Sequence, residues 1–266
     1  MDKRMQGKVA IITGAGQTKG ETIGNGRAMA ILFARAGAKV MLADYRLDSA
    51  QETKMMIDKE GGESFAFAAD VTRADDCRRM AEKCAETYGR IDVLVNNVGI
   101  GDGDQGPVKL QEEAWDRIFT VNLKSMFLTC KYVLPYMEKQ GSGAILNISS
   151  VAAVAAVSML AYKTSKAGVN ALTHSIAMKY AKKGIRVNAI MPGLMQTPMA
   201  IEGISKARGV SKEDLINLRN STVPLKGGMG TGWDTANAAL FLVSDEAKFI
   251  TGVILAVDGG QSAKIG

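Results

Sequence analysis

The chain holds a single histidine, His174, and only three cysteines among its 266 residues. Cys77, Cys84 and Cys130 show no C-x-x-C spacing and are odd in number, which argues against a disulfide framework and reads as idle or buried thiols. One histidine without neighbouring cysteine or paired acidic ligands leaves no histidine-based zinc site, and no Ser-His-Asp triad. No run approaches the roughly 20 apolar residues that a membrane span needs, and residues 1–6 lead into a strand without a signal-peptide core. A cytoplasmic protein without a membrane partner is expected. Charge of one sign is also scarce: 33 Lys and Arg stand against 27 Asp and Glu, a net +6 with both signs interspersed. No basic block with interleaved aromatics is present, so nucleic acid is not an expected partner, and anionic small molecules or an acidic carrier fit the balance better.

What is present is a globular composition, 47% hydrophobic and 23% charged, enough to bury a large core. No linker divides residues 1–266, which read as a single domain. Short, continuously apolar runs recur at 8–13, 38–43, 64–69, 91–95, 144–148, 185–190 and 253–257. Such runs are strands buried on both faces. Helix-period stretches lie between them, as at 26–35 and 75–88. Alternating strands and helices imply right-handed βαβ units, hence an α/β, three-layer, doubly wound fold around a seven-stranded, mostly parallel sheet. The mixed, charged stretch at 199–223 breaks the alternation, and excursions of that kind serve as substrate-binding lids.

After the first strand, a loop from Thr13 to Ala28 carries Gly14, Gly16, Gly20, Gly24 and Gly26 and opens an apolar helix stripe of Met29, Leu32 and Phe33. Glycines let the backbone turn sharply and approach a pyrophosphate, while the helix start offers unpaired N–H groups. A dinucleotide site follows from this strand-loop-helix context. Asp44 closes the second strand, where a carboxylate accepts hydrogen bonds from the adenosine ribose and repels the 2′-phosphate of NADP. It favours NAD. Asp44 as a cap for the following helix is the other reading, and Lys19 and Arg46 are nearby cations.

Tyr162 and Lys166 open a helix, and their spacing stacks them on one face, one turn apart. An ammonium beside a phenol favours the phenolate and makes the tyrosine a usable acid/base. The strand at 144–148 ends in Ser149 and Ser150, at the carboxyl edge where open α/β sheets bind ligands. Asn96-Asn97-Val98-Gly99 closes another strand. Asn122 lies on the apolar inner face of a long helix with Trp115, Ile118 and Phe119, either as a satisfied core amide or as part of the site.

With these pieces in hand, the chain resembles the short-chain dehydrogenase/reductase family from about Gly7 to Gln261. The matching residues are Thr13-Gly14-x-Gly16 with Gly24-x-Gly26, Asp70 before Val71, Asn96-Asn97-x-Gly99, Asn122, Ser150, Tyr162-x-x-x-Lys166, Pro192-Gly193 with Thr197, and Val257-Asp258-Gly259-Gly260. The resemblance implies a Rossmann-like sheet, a homotetramer, and hydride transfer between a nicotinamide and a carbonyl or alcohol. It implies Tyr162 as proton donor or acceptor, Lys166 on the nicotinamide ribose, Ser150 on the substrate oxygen, and Asn122 holding a water. Gly14, Gly24, Asn25 and Gly26 would cradle the pyrophosphate, Asp44 the adenosine ribose, and Asp70 with Val71 the adenine. Asn96, Gly99, Pro192, Gly193 and Thr197 would complete the dinucleotide site.

Two departures stand out. Nine residues, Ala15 to Ile23, separate Gly14 from Gly24, six more than the family's loop has. They could wrap the cofactor, gate its release or bulge into solvent. The family's serine spacing would select Ser149, thirteen residues before Tyr162, while strand register selects Ser150 at twelve. Register is preferred, because a slip of one residue reverses the face of every side chain. The small apolar segment 151–157, with Met159, Met195 and Met199, suggests an apolar pocket for a cyclic or aromatic secondary alcohol or its ketone. The competing expectation is an NADPH-dependent 3-oxoacyl thioester reductase acting on a carrier protein or coenzyme A.

Overall fold

The computed structural model describes residues 3–155 and 157–264. Seven strands form one sheet: β1 (Val9–Thr13), β2 (Lys39–Asp44), β3 (Glu63–Ala68), β4 (Val93–Asn96), β5 (Gly143–Ile148), β6 (Ile185–Pro192) and, last in the chain, β9 (Ile254–Val257). Their spatial order is β3-β2-β1-β4-β5-β6-β9, and every pairing is parallel, so the expected mostly parallel sheet is wholly so. The order reverses between β1 and β4, which opens a crevice at the carboxyl ends of the strands.

Side-chain alternation divides the core. Ala10, Ile12, Val40, Leu42, Val93, Val95 and Leu146 face one way, against helices α1 (Asn25–Arg35), α2 (Leu47–Lys59) and α9 (Gly232–Val243). Val9, Ile11, Met41, Ala43, Leu94, Ile145 and Val187 face the other, against α3 (Ala74–Tyr88), α5 (Ser125–Gln140) and α6 (Leu160–Tyr180). Both faces are covered because the middle of each strand is mostly apolar, and the period of two sends alternate residues each way. Cys84 and Cys130 are buried in the second layer and Cys77 in a small cluster with Val71 and Leu128, and burial pushes each thiol up to about 12, so they are inert packing groups.

The long helix expected around Asn122 is interrupted. Helix α4 (Glu112–Phe119) runs into a π-helical turn at Thr120–Lys124 before α5 resumes the α-helical period. A two-stranded ribbon not foreseen from the sequence pairs β7 (Met195–Gln196) with β8 (Gly230–Thr231). Between its strands lie a π turn at Met199–Gly203, α7 (Ile204–Arg208) and α8 (Lys212–Thr222). This flap spans the expected 199–223 lid. Ile201, Val223 and Met229, with Leu194 and Ile216, form a small core of its own, separate from the two sheet layers. Among the described residues no helix is long and apolar enough to cross a membrane, and no acidic, cysteine or histidine group could hold a metal.

Candidate active site

The glycine loop is fixed by close backbone approach. Gly14 has φ +65°, and a Cβ there would sit 2.9 Å from Asn97 Nδ2; a Cβ on Gly26 would fall 2.0 Å from the Gly14 carbonyl oxygen. Only glycine fits either position. Asn97, which sequence reasoning named but gave no role, donates from Nδ2 to the carbonyls of Thr13 and Gly14, both at 3.1 Å, and ties the loop to the end of β4. Gly24 is the N-cap of α1 and supplies no side chain, and the first turn carries no acidic residue. The N–H groups of Asn25 and Gly26 therefore stand at an uncompensated helix start, which fits a pyrophosphate.

A second clamp was invisible in the sequence. Buried Arg27 donates from Nε to Thr53 Oγ1 at 2.9 Å and pairs with Glu52 at 2.9 Å, while Thr53 Oγ1 donates to the Ala15 carbonyl at 2.8 Å. The one available signal was a cation inside an otherwise apolar helix stripe. Asp44 accepts from the Gly16 N–H at 2.9 Å through Oδ2 and from the Arg46 N–H at 2.9 Å through Oδ1. It does not cap α2, whose N-cap is Arg46. Arg46 itself donates to the Gln17 carbonyl and so is tied to the glycine loop.

The extra residues of that loop do not bulge freely. A Cβ on Gly20 would lie 2.7 Å from Glu202 and 2.8 Å from Pro198, and the Glu21 N–H donates to Glu202 Oε1 at 3.3 Å. Lys212 of α8 bridges Glu21 and Glu202, each at 3.6 Å. The insertion is docked on the flap.

Along the carboxyl edge, Ser150 lies just past β5 and hydrogen-bonds the Tyr162 hydroxyl, whereas Ser149 is buried and donates to the Lys166 carbonyl at 3.1 Å. Lys166 is 2% exposed; its Nζ donates to the Ile148 carbonyl at 2.8 Å and lies 5.7 Å from the Tyr162 ring centre. Burial lowers its pKa from the ordinary 10.5 to about 8. The expectation that Lys166 lowers the tyrosine pKa does not hold here. Burial, the larger influence, pushes Tyr162 up, and the Ser150 hydrogen bond only partly opposes it. A Cβ on Gly99 would meet Lys166 Nζ at 3.0 Å, so that glycine leaves the lysine its room.

Two expected side-chain roles are corrected. Asn96 points inward: its Nδ2 donates to Asn147 at 2.9 Å and its Oδ1 accepts from Thr129 at 2.6 Å, so a dinucleotide could meet only its backbone. Asn122 is fully buried, with Oδ1 accepting from the Ile100 N–H at 2.8 Å and Nδ2 donating to the Ile100 carbonyl at 2.9 Å and to Ser165 at 3.0 Å. It is a satisfied amide, and any water it held would have to bind its main chain. Asp70 takes both Thr72 donors on Oδ1, at 2.9 and 2.6 Å, and the Val71 carbonyl accepts from Cys77 Sγ at 3.3 Å. Pro192 ends β6, Gly193 donates to the Val257 carbonyl at 2.9 Å, and the Thr197 carbonyl accepts from Ala200 and Ile201 where the flap departs.

The three methionines separate. Met159 lies over Gly101, where a Cβ would be 2.6 Å from its Cε, and beside Tyr162; Met195 is buried in the β7–β8 ribbon; Met199 is 55% exposed on the flap. Of the apolar segment 151–157, Ala152 and Ala153 are buried, Val154 is exposed, and Ala156 lies outside the described residues.

Comparisons with known proteins identify the family. The family model described as enoyl-(acyl carrier protein) reductase matches residues 20–262. The 3-oxoacyl-(acyl-carrier-protein) reductase FabG of Thermotoga maritima is 38% identical over 258 residues, covering 97% of this chain and 98% of the relative. The 7α-hydroxysteroid dehydrogenase of Clostridium sardiniense is 38% identical, covering 97% of this chain and 94% of the relative. A solved short-chain dehydrogenase/reductase from Burkholderia xenovorans superposes with a TM-score of 0.93 at 43% identity, covering 99% of this chain and all of that one. The chain belongs to the short-chain dehydrogenase/reductase family and is an oxidoreductase of the alcohol dehydrogenase and ketoreductase type that works with a nicotinamide cofactor.

Proposed function

We propose that this protein interconverts a moderately apolar, cyclic or aromatic secondary alcohol and its ketone with NAD(H), using Tyr162 as general acid/base. The observation that carries the reading is the convergence of Ser150, Tyr162 and Lys166 at the carboxyl edge of the sheet, on the same edge as Asp44. In reduction, the Tyr162 hydroxyl gives its proton to the carbonyl oxygen, and in oxidation Tyr162 takes the proton of the alcohol. Ser150 donates to the same oxygen and holds it against Tyr162. Lys166, buried beside Tyr162 with its pKa lowered to about 8, holds the nicotinamide ribose. A bound nicotinamide supplies or accepts the hydride. Gly14, Gly24, Asn25 and Gly26 hold the pyrophosphate at the start of α1, Asp44 the adenosine ribose, Asp70 and Val71 the adenine, and Gly99, Pro192, Gly193 and Thr197 the nicotinamide end.

Residues 199–223 close over the substrate as a lid, supported by their separate small core and their contact with the glycine-loop insertion. Met159 forms the apolar wall nearest Tyr162. The hydroxysteroid dehydrogenase relative, named for a cyclic secondary alcohol, supports the substrate class. A homotetramer is supported by β9, an apolar edge strand that is only half buried within one chain.

The second reading, a 3-oxoacyl reductase using NADPH, is favoured by the FabG relative and opposed by Asp44, which would meet a 2′-phosphate with like charge. Fluorescence titration with NADH and NADPH separates them. Binding of NADPH at least about tenfold weaker than NADH, roughly 1.4 kcal/mol, supports the first reading, and a preference for NADPH selects the second.

A further inference from the structure

Helix α6, which carries Tyr162 and Lys166, starts without a capping residue of its own. Its N-cap is Met159, which makes no side-chain hydrogen bond to the first turn, and that turn contains no acidic residue. An uncapped helix start leaves N–H groups without partners, and here two of them are supplied from far away in the sequence. The carboxylate of Asp104, in the loop after β4, accepts from the Ala161 N–H at 3.1 Å through Oδ1 and from the Tyr162 N–H at 2.7 Å through Oδ2.

The same loop is anchored at its other end by the Asn122 amide, which brackets both backbone groups of Ile100. Between the anchors the chain passes close over the tyrosine: a Cβ on Gly101 would lie 2.6 Å from Met159 Cε and 3.4 Å from Tyr162 Cδ2. Arg117 of α4 holds the span from outside, donating to the Asp102 carbonyl at 2.7 Å. Asn122 also donates to Ser165, whose hydroxyl donates to the Tyr162 carbonyl at 2.8 Å. Tyr162 is thus gripped at its N–H by Asp104 and at its carbonyl through Ser165 and Asn122.

We propose that Asp104 is a positioning residue for the reaction: it fixes the first turn of α6, and so the Tyr162 side chain, against the substrate carbonyl. It touches neither substrate nor cofactor and acts through the Tyr162 backbone. A misplacement of about 1 Å at a reacting group can lower turnover on the order of a hundredfold, so a cap on the acid/base's own N–H bears directly on rate. The proposal rests on Tyr162 being the acid/base.

The test compares Asp104→Ala, Asp104→Asn and Tyr162→Phe with the native chain, using NAD and cyclohexanol for turnover, NADH fluorescence for cofactor binding, and amide hydrogen exchange across residues 157–168. In Asp104→Ala, kcat falls about tenfold, equivalent to about 1.4 kcal/mol, NADH affinity stays within about twofold, and exchange speeds up in the first turn of α6 alone. Asp104→Asn keeps an acceptor oxygen and recovers most of the turnover and protection. Unchanged exchange at Ala161 and Tyr162 in Asp104→Ala overturns the proposal whatever the substrate, and should that variant not fold, unaltered kcat and exchange in Asp104→Leu do the same. A parallel loss of kcat, NADH affinity and protection throughout the chain also overturns it, in favour of a general structural role. Full turnover in Tyr162→Phe overturns the acid/base reading instead, and is distinguishable because the exchange result stands apart from it.

Discussion

Ser149 and Ser150 are neighbours with opposite fates, because successive side chains at a strand end point to opposite faces. Ser149 is spent inside on the Lys166 carbonyl, and Ser150 meets the Tyr162 hydroxyl. Replacing Ser150 by Ala is predicted to lower kcat at least about a hundredfold, against less than about threefold for Ser149→Ala, in steady-state kinetics. The reverse ranking would show that register was the wrong guide and spacing the right one. Lys166 makes a second prediction. Its folded pKa of about 8 lies below the ordinary 10.5, so between those values the unfolded chain holds a proton that the folded chain lacks, and stability rises with pH. Tyr162 is shifted up, so its opposite contribution sets in only above its ordinary 10.0. From pH about 8 to 10 the native chain should gain up to about 1.4 kcal/mol per unit relative to Lys166→Met in denaturant unfolding, and a gain of opposite sign would contradict the burial argument. The Tyr162 and Lys166 pair was legible because their spacing alone puts both on one helix face. The upward shift of Tyr162 was not, since it depends on how much protein covers the phenol, and no local pattern carries that.

Elements were read well where local chemistry and tertiary packing agree. The seven apolar runs became the seven strands of the sheet with small changes at their ends, because a strand covered on both faces reads as a mostly apolar run. The β7–β8 ribbon and the Arg27 clamp were missed because each is made by partners distant in sequence, and the π turn at 120–124 because its local i→i+5 bonding carries no residue signature. The inserted glycine loop belongs here too. Its contact with Glu202 and Lys212 links the glycine loop to the flap, and on the proposed cofactor site this contact would restrain release. Surface ion pairs contribute little each, about 0–1 kcal/mol, and the expected effect is correspondingly modest. Lys212→Ala is predicted to raise the NADH dissociation rate a few fold in stopped-flow fluorescence and to leave the rate of hydride transfer in single turnover unchanged. An unchanged dissociation rate would make the insertion a passive surface feature.

At the scale of the whole molecule, apolar layers cover both faces of the sheet, and the residues of the proposed site lie along its carboxyl edge. Asp44 from β2, Ser150 after β5, Tyr162 and Lys166 from α6 and Thr197 before the flap come from separate segments, brought together only by the doubly wound topology. One edge of the sheet, β9, remains half buried although all four of its residues are apolar. Sedimentation is predicted to give four copies of the 28.3 kDa chain, and a monomer at micromolar concentration would remove the argument from that edge. The charge of +6 has no matching basic face in the sequence pattern, which is why composition alone said so little about partners. The most direct test of the central claim is the initial rate of NADH formation from NAD and a panel of cyclic and aromatic secondary alcohols, measured for the native chain and for Tyr162→Phe. The account predicts turnover of at least one such alcohol by the native chain and a loss of at least about a thousandfold in Tyr162→Phe with NADH binding intact. Turnover that survives the loss of the phenol, or activity confined to short polar polyols, would contradict it.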